Sequence, residues 1–197
     1  NKITSEDKDK MEWAMGDLQL SRKLYLYDHW GSLDEDNLMA RLRFLAKGLD
    51  CDFIVLDHIS IVVSGLDTND ERRTIDVLMT KLRSFVQETK VGLIIISHLK
   101  KPFGSKGYEE GAQTSINSLR GSASIAQISD NVIGLERDQQ GEDPDLVTVR
   151  ILKNRLSGET GVACYLRYNR DTGRLREVDP EMQKVFDQGE SQNAFDF

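Results

Sequence analysis

The chain has 197 residues, 39% of them hydrophobic and 30% charged, enough for one α/β domain with a core of its own. No apolar run approaches the roughly 20 residues that cross a membrane, and no secretory signal pattern is present, so the expectation excludes a membrane partner. A net charge of −7 excludes a protein coated in basic surface, leaving any nucleic-acid contact to a local cluster.

Residues 1–20 are polar with scattered apolar positions, including Met11, Trp13, Met15 and Leu18, the texture of a helix that has lost its beginning. Leu24–Tyr27 reads as a short strand. Ser32 and Glu35 have capping-box spacing and open a helix through Leu38, Leu42 and Leu45 that Gly48 stops. Two cysteines, Cys51 and Cys164, and three histidines, His29, His58 and His98, lack metal-type spacing, which points to a reduced compartment without a zinc site.

Phe53–Leu56 is apolar without alternation and ends on Asp57. Such a strand, apolar on both faces, belongs inside a parallel sheet with helices on each side. The carboxyl ends of parallel strands open onto the ligand crevice, so an acid there suits the magnesium of a nucleotide triphosphate. A strand that merely stops at an aspartate competes with that account. A second strand of the same kind, Val91–Ser97, ends at His98. Between them, Thr68 and Glu71 form another box. Ile75, Leu78, Met79, Leu82, Phe85 and Val86 then share one helical stripe, which is core. The order strand, helix, strand, helix, strand predicts a right-handed parallel α/β sheet.

From 100 to 121 the texture is glycine, lysine and polar residues, long for a structureless loop in a compact domain. Lys100, Lys101, Lys106 and Arg120 bracket it, with Glu109 and Glu110 partly offsetting them. Such a loop suits a phosphate backbone, although charge alone equally describes a solvated surface. A short helix near Ser122–Ser129 and a strand around Val132–Leu135 follow. Leu146–Lys153 and Val162–Tyr168 form a hairpin that turns at Gly158 and Gly161. Lys153 and Arg155 lie on it. A hairpin arginine can steady charge on a phosphoryl group of a neighbouring subunit, or be an ordinary surface cation. Residues 177–197 read as a flexible acidic tail, leaving 1–176 as the folded part. The phosphate-cradling stretch Gly-x-x-x-x-Gly-Lys-Ser/Thr is absent; Gly104–Gly107 has the wrong spacing.

Six stretches carry a resemblance. They are Phe53-Ile-Val-Leu-Asp-His-Ile-Ser-Ile-Val-Val-Ser64, Ile94-Ile-Ile-Ser-His-Leu-Lys100, Leu119-Arg-Gly-Ser122, Leu135-Glu-Arg-Asp-Gln-Gln-Gly141, Ile151-Leu-Lys-Asn-Arg-Leu-Ser-Gly-Glu-Thr-Gly161 and Tyr168-Asn-Arg-Asp-Thr-Gly173. In this order, from about Tyr25 to Leu175, they resemble the helicase domain of the primase-helicase of short-tailed phages of the T-seven type. More distantly the chain is similar to DnaB-type bacterial replicative helicases and to the mitochondrial replicative helicase.

The resemblance implies an α/β fold: a RecA-like P-loop NTPase core with a mostly parallel sheet, a C-terminal β-hairpin and a flexible acidic tail. It implies a homo-oligomeric ring, commonly a hexamer, that hydrolyses NTP (ATP or dTTP) with Mg2+ and moves along single-stranded DNA in the cytoplasm of an infected bacterial host. Asp57 matches the magnesium-holding acid and His98 the sensor of the terminal phosphate. Arg155 matches an arginine finger offered in trans, with Lys153 its companion. Arg137 and Tyr168 match the pair that flanks the nucleotide base. Lys100, Lys106, Arg120 and Gly121 match the central-channel loop that holds DNA. The tail ending in Phe197 matches one that docks on the phage DNA polymerase. The primase, the linker helix, the P-loop lysine and the water-activating glutamate would all precede Asn1, so this piece is expected to be inactive alone. Two other readings stand beside it. One is a non-catalytic DNA-binding or assembly module; the other is a RecA-type recombination protein, against which the hairpin arginine and the base-flanking pair argue.

Overall fold

The structure, a computed structural model, describes residues 3–27, 35–60, 71–102, 104, 106–121 and 123–179. It opens on helix α1 (Ser5–Ser21). The Thr4 hydroxyl accepts the Asp7 amide at 3.2 Å, and the Asp7 carboxylate accepts the Thr4 amide at 2.9 Å. That reciprocal pair satisfies orphan donors of the first turn. Within these residues the helix begins at its own capping box. Leu24–Tyr27 does not form the expected strand. The Tyr27 ring instead lies against the Arg41 guanidinium, 4.6 Å from its centroid, so the aromatic finds its partner on a helix and not in a ladder.

Helix α2 (Glu35–Arg43) widens into a π-helical turn, Phe44–Gly48, and stops at Gly48 as the sequence predicts. Ser32 and Thr68, the expected caps, lie outside the described residues, as does His29. Strand β1 (Phe53–Leu56), helix α3 (Glu71–Thr89) and strand β2 (Gly92–Ile95) follow. The two strands pair parallel, Phe53 opposite Gly92 and Leu56 opposite Ile95. The predicted α3 stripe is the heart of the core. Ile75, Leu78, Met79, Leu82 and Phe85 are buried with Leu38, Met39 and Leu42 of α2, Ile54 of β1 and Ile59. Helix α3 is tied to α2 and its π-turn through Glu88, which accepts from Lys47 at 2.6 Å and lies 3.5 Å from Arg43.

Burial on both faces of β1 is not observed. Ile54 is buried, but Phe53 is 72% and Val55 60% exposed, and Ile94 of β2 shares their face. Among the described residues, the helices packed into this core lie on the Ile54 face only.

The later strands depart from a mostly parallel sheet. After helix α4 (Ala123–Ile128), strands β3 (Asn131–Glu136), β4 (Leu146–Asn154), β5 (Gly161–Asn169) and β6 (Arg174–Glu177) form a separate antiparallel sheet in sequence order. Their connections, 137–145, 155–160 and 170–173, are too short for a parallel crossover, which takes a dozen or more residues. The β4–β5 hairpin turns where predicted, with Gly158 and Gly161 at φ +76° and +128°, values that favour glycine. Strand β6 was not predicted, and it takes in Glu177, the first residue read as tail. Val178 is buried beyond it, its amide donating to Tyr165 at 2.9 Å. The rest of the expected tail past 179, with Phe197, lies outside the described residues.

Candidate nucleotide and nucleic-acid site

Parallel strands in register end together, so β1 and β2 deliver Asp57 and His98 to the same edge. Two further amide bonds hold the segments past the strand ends, Ile96 to Leu56 and Ile59 to Ile96, each 3.0 Å. The His58 and His98 rings meet at 3.9 Å between centroids, tilted by 38°. Asp57 and His98 are exposed, whereas Nδ1 of His58 is buried without a hydrogen-bond partner among the described residues. Among those residues no group of three or more His, Cys, Asp or Glu could hold a metal. Magnesium that travels with a nucleotide takes only one or two carboxylates and fills its shell with phosphate and water. The exposed Asp57 carboxylate is a hard oxygen donor of that kind.

The long loop springs from this edge and returns to it. Leu99 pairs with Leu119, the Lys100 amide donates to Ser118 at 2.8 Å, and the Arg120 amide donates to His98 at 2.9 Å. A second tie joins Glu110 to Asp138. The stretch is therefore a closed, folded loop. Lys100, Lys101 and Lys106 line one pocket of about 430 Å³ together with Tyr108, Gln113 and Asn117. Arg120 stands at the loop's base, beside His98. Gly121, at φ +104°, packs so closely on α3 that a Cβ would lie 2.5 Å from Ile75 Cδ1. Ser122 lies outside the described residues.

Lys153 and Arg155 are brought together on the end of α4. Lys153 Nζ donates to the Ala126 and Gln127 carbonyls at 2.6 and 3.0 Å, and Arg155 donates to Gln127 and Ile128 at 2.7 and 3.4 Å. Both cations meet the partial negative charge of a helix C-terminus.

Arg137, just after β3, and Tyr168, on β5, also meet, with the guanidinium 4.7 Å from the ring centroid. Arg137 donates to the Pro144 carbonyl at 2.6 Å and to Asp145 at 3.0 Å, while the Tyr168 amide donates to the Asp145 carbonyl at 2.8 Å. Asp145 thus holds both members of the stack and also accepts from Arg170 at 2.8 Å. Among the described residues, no hydrogen bond, ion pair or ring contact links Arg155, Arg137 or Tyr168 to Asp57 or His98.

Sequence reasoning missed three acids. Asp145 holds the stack and Asp130 holds Arg155, with a 3.3 Å ion pair. Glu136 accepts from the amide and hydroxyl of buried Thr114, at 2.7 and 2.6 Å, and from Arg150 at 3.0 Å. Each works across a large sequence separation, which no spacing rule on one element encodes.

The family profile and the curated relatives agree on one family. The profile described as "DnaB-like helicase C terminal domain" matches residues 1–177. The chain is 49% identical over 174 residues to the "DNA helicase/primase" of Enterobacteria phage T3, a match covering 88% of this chain and 31% of that protein. It is 25% identical over 185 residues to "Replicative DNA helicase DnaB" of Geobacillus stearothermophilus, covering 90% of this chain and 40% of the relative. The chain therefore spans between about a third and two fifths of the length of these curated relatives. Among solved structures, an ATPase domain superposes with a TM-score of 0.71 at 20% identity, covering 90% of this chain and 62% of that one. A KaiC-like protein of the archaeon Pyrococcus horikoshii superposes with a TM-score of 0.59 at 15% identity, covering 91% of this chain and 72% of that one. These two neighbours identify the fold as RecA-like. From Asn1 to Glu177, this chain belongs to the DnaB-like helicase C-terminal domain family.

Proposed function

We propose that the chain is the C-terminal portion of a ring-shaped replicative DNA helicase, folded through strand β6 and Val178, with the acidic segment that follows as its tail. The whole protein couples NTP hydrolysis to movement on single-stranded DNA. One observation carries this reading: the His98 carbonyl accepts the Arg120 amide, so the sheet edge bearing Asp57 and His98 is bonded to the base of the lysine-lined loop. A change at a bound phosphate would pass directly into a segment suited to DNA.

In this reading Asp57 would hold Mg2+, which when bound would offset negative charge on the nucleotide's phosphates. His98 stands on the same edge and donates to the terminal phosphate. Arg137 and Tyr168 present two planar faces that already lie against each other at 4.7 Å, so a nucleobase would part this pair to stack on both. Lys100, Lys106 and Arg120 meet DNA phosphates, while Gly121 lets the loop pass close to α3. Arg155, with Lys153, serves the nucleotide of a neighbouring subunit. These 197 residues contain no Gly-x-x-x-x-Gly-Lys-Ser/Thr stretch, so hydrolysis is assigned to the whole protein and not to this chain by itself. The segment ending in Phe197 is assigned to docking on the phage DNA polymerase, in the host cytoplasm.

The test is Arg155→Ala in the complete protein. DNA-stimulated hydrolysis should fall by about a thousandfold or more, with rings still formed in native mass measurements. Hydrolysis at the wild-type rate would remove Arg155 from the mechanism.

A further inference from the structure

Asp130 lies between α4 and β3, and its two carboxylate oxygens are divided between two partners. Oδ2 accepts from Arg83 of α3 at 2.6 Å, and Oδ1 lies 3.3 Å from a terminal nitrogen of Arg155. The Asp130 carbonyl also accepts the Arg155 amide at 2.8 Å. One residue thus fixes both the backbone and the guanidinium of the hairpin arginine, and α3 braces it from behind.

Stability does not account for this network. Asp130 is half exposed, Arg155 nearly so, and exposed ion pairs of this kind contribute little to folding. What the contacts do accomplish is geometric. A long side chain with many rotamers is confined to one orientation by a carboxylate on one side and the α4 carbonyls on another. A guanidinium has five N–H donors, so donors remain for an oxygen outside. Because Arg83 shares the carboxylate, two positive charges face one negative charge, and Arg155 is oriented without being neutralised.

We propose that Asp130, braced by Arg83, is the positioning residue that holds the Arg155 guanidinium ready for a nucleotide phosphate on the neighbouring subunit. The inference rests on the finger reading above. Misplacing a group by about an ångström can cost on the order of a hundredfold in rate without weakening ground-state binding.

The experiment compares Asp130→Asn, Asp130→Glu, Arg83→Gln and Arg155→Ala in the complete ring-forming protein, measuring DNA-stimulated hydrolysis, nucleotide KM and ring formation. Asparagine keeps the backbone bond and removes the charge. Asp130→Asn should lower kcat about ten- to a hundredfold with KM unchanged within roughly twofold and rings intact. Asp130→Glu should recover much of the loss, and Arg83→Gln should lower kcat in the same direction. Adding Asp130→Asn to Arg155→Ala should cost nothing more, because the two act as a unit. Wild-type or raised kcat in Asp130→Asn overturns the proposal, as does a kcat loss that appears only with loss of rings. If Arg155→Ala is inactive while Asp130→Asn is not, the positioning role alone fails. If Arg155→Ala is active, the finger reading itself fails.

Discussion

Asp143 and Asp145 stand two residues apart in the β3–β4 connection, and each takes a different arginine. Asp145 serves the Arg137–Tyr168 stack, and Asp143 grips Arg167 through two bonds of 2.9 and 2.7 Å. The hydrogen bond from Arg167 holds the Asp143 carboxyl below its ordinary value near 3.8, against the opposing effect of partial burial. A carboxyl depressed in the folded chain contributes stability above its unfolded pKa and loses it as pH falls through the folded one. The native chain should therefore lose stability progressively below about pH 4, and Asp143→Asn should flatten that acid limb. Urea midpoints followed across the acid range check this; an unchanged slope would show that the pair is too solvent-screened to matter.

Helix α3 shows how one element can be legible in advance. Its apolar positions recur at helical spacing, so the face that meets the core is written locally. Phe85 is fully buried there, and Phe85→Ala should cost about 3–5 kcal/mol in urea unfolding, the range for deleting a core aromatic. Strand β6 is the opposite case. Every residue of Arg174–Glu177 is exposed and three carry charged side chains, so its reason to be a strand is the free edge of β5. Leu24–Tyr27 errs the other way, reading as a strand while Tyr27 is engaged by Arg41.

For the whole molecule, a net charge of −7 and a pocket lined by three lysines stand in contrast. Attraction to a phosphate backbone must be local, so it should respond to single substitutions. In the complete protein, Lys100→Ala should weaken single-stranded DNA binding and reduce the slope of log affinity against log salt by about 0.7. Titration at several salt concentrations checks this, and an unaltered slope would leave the loop as plain surface.

The sequence by itself determined the α3 stripe, the parallel pair ending on Asp57 and His98, the hairpin turn at Gly158 and Gly161, and the residues carrying the resemblance. All of these are local patterns, periodicity, an apolar run or a turn, or residues legible in chain order. Only the tertiary structure decided that the later strands form their own antiparallel sheet and that Arg137 stacks on Tyr168. It also decided that the hairpin cations rest on the end of α4, held by an aspartate braced from α3. The reason is physical: a carboxylate that orients an arginine does so through space, and Asp130 meets Arg83 and Arg155 across distances in the chain that no local pattern records.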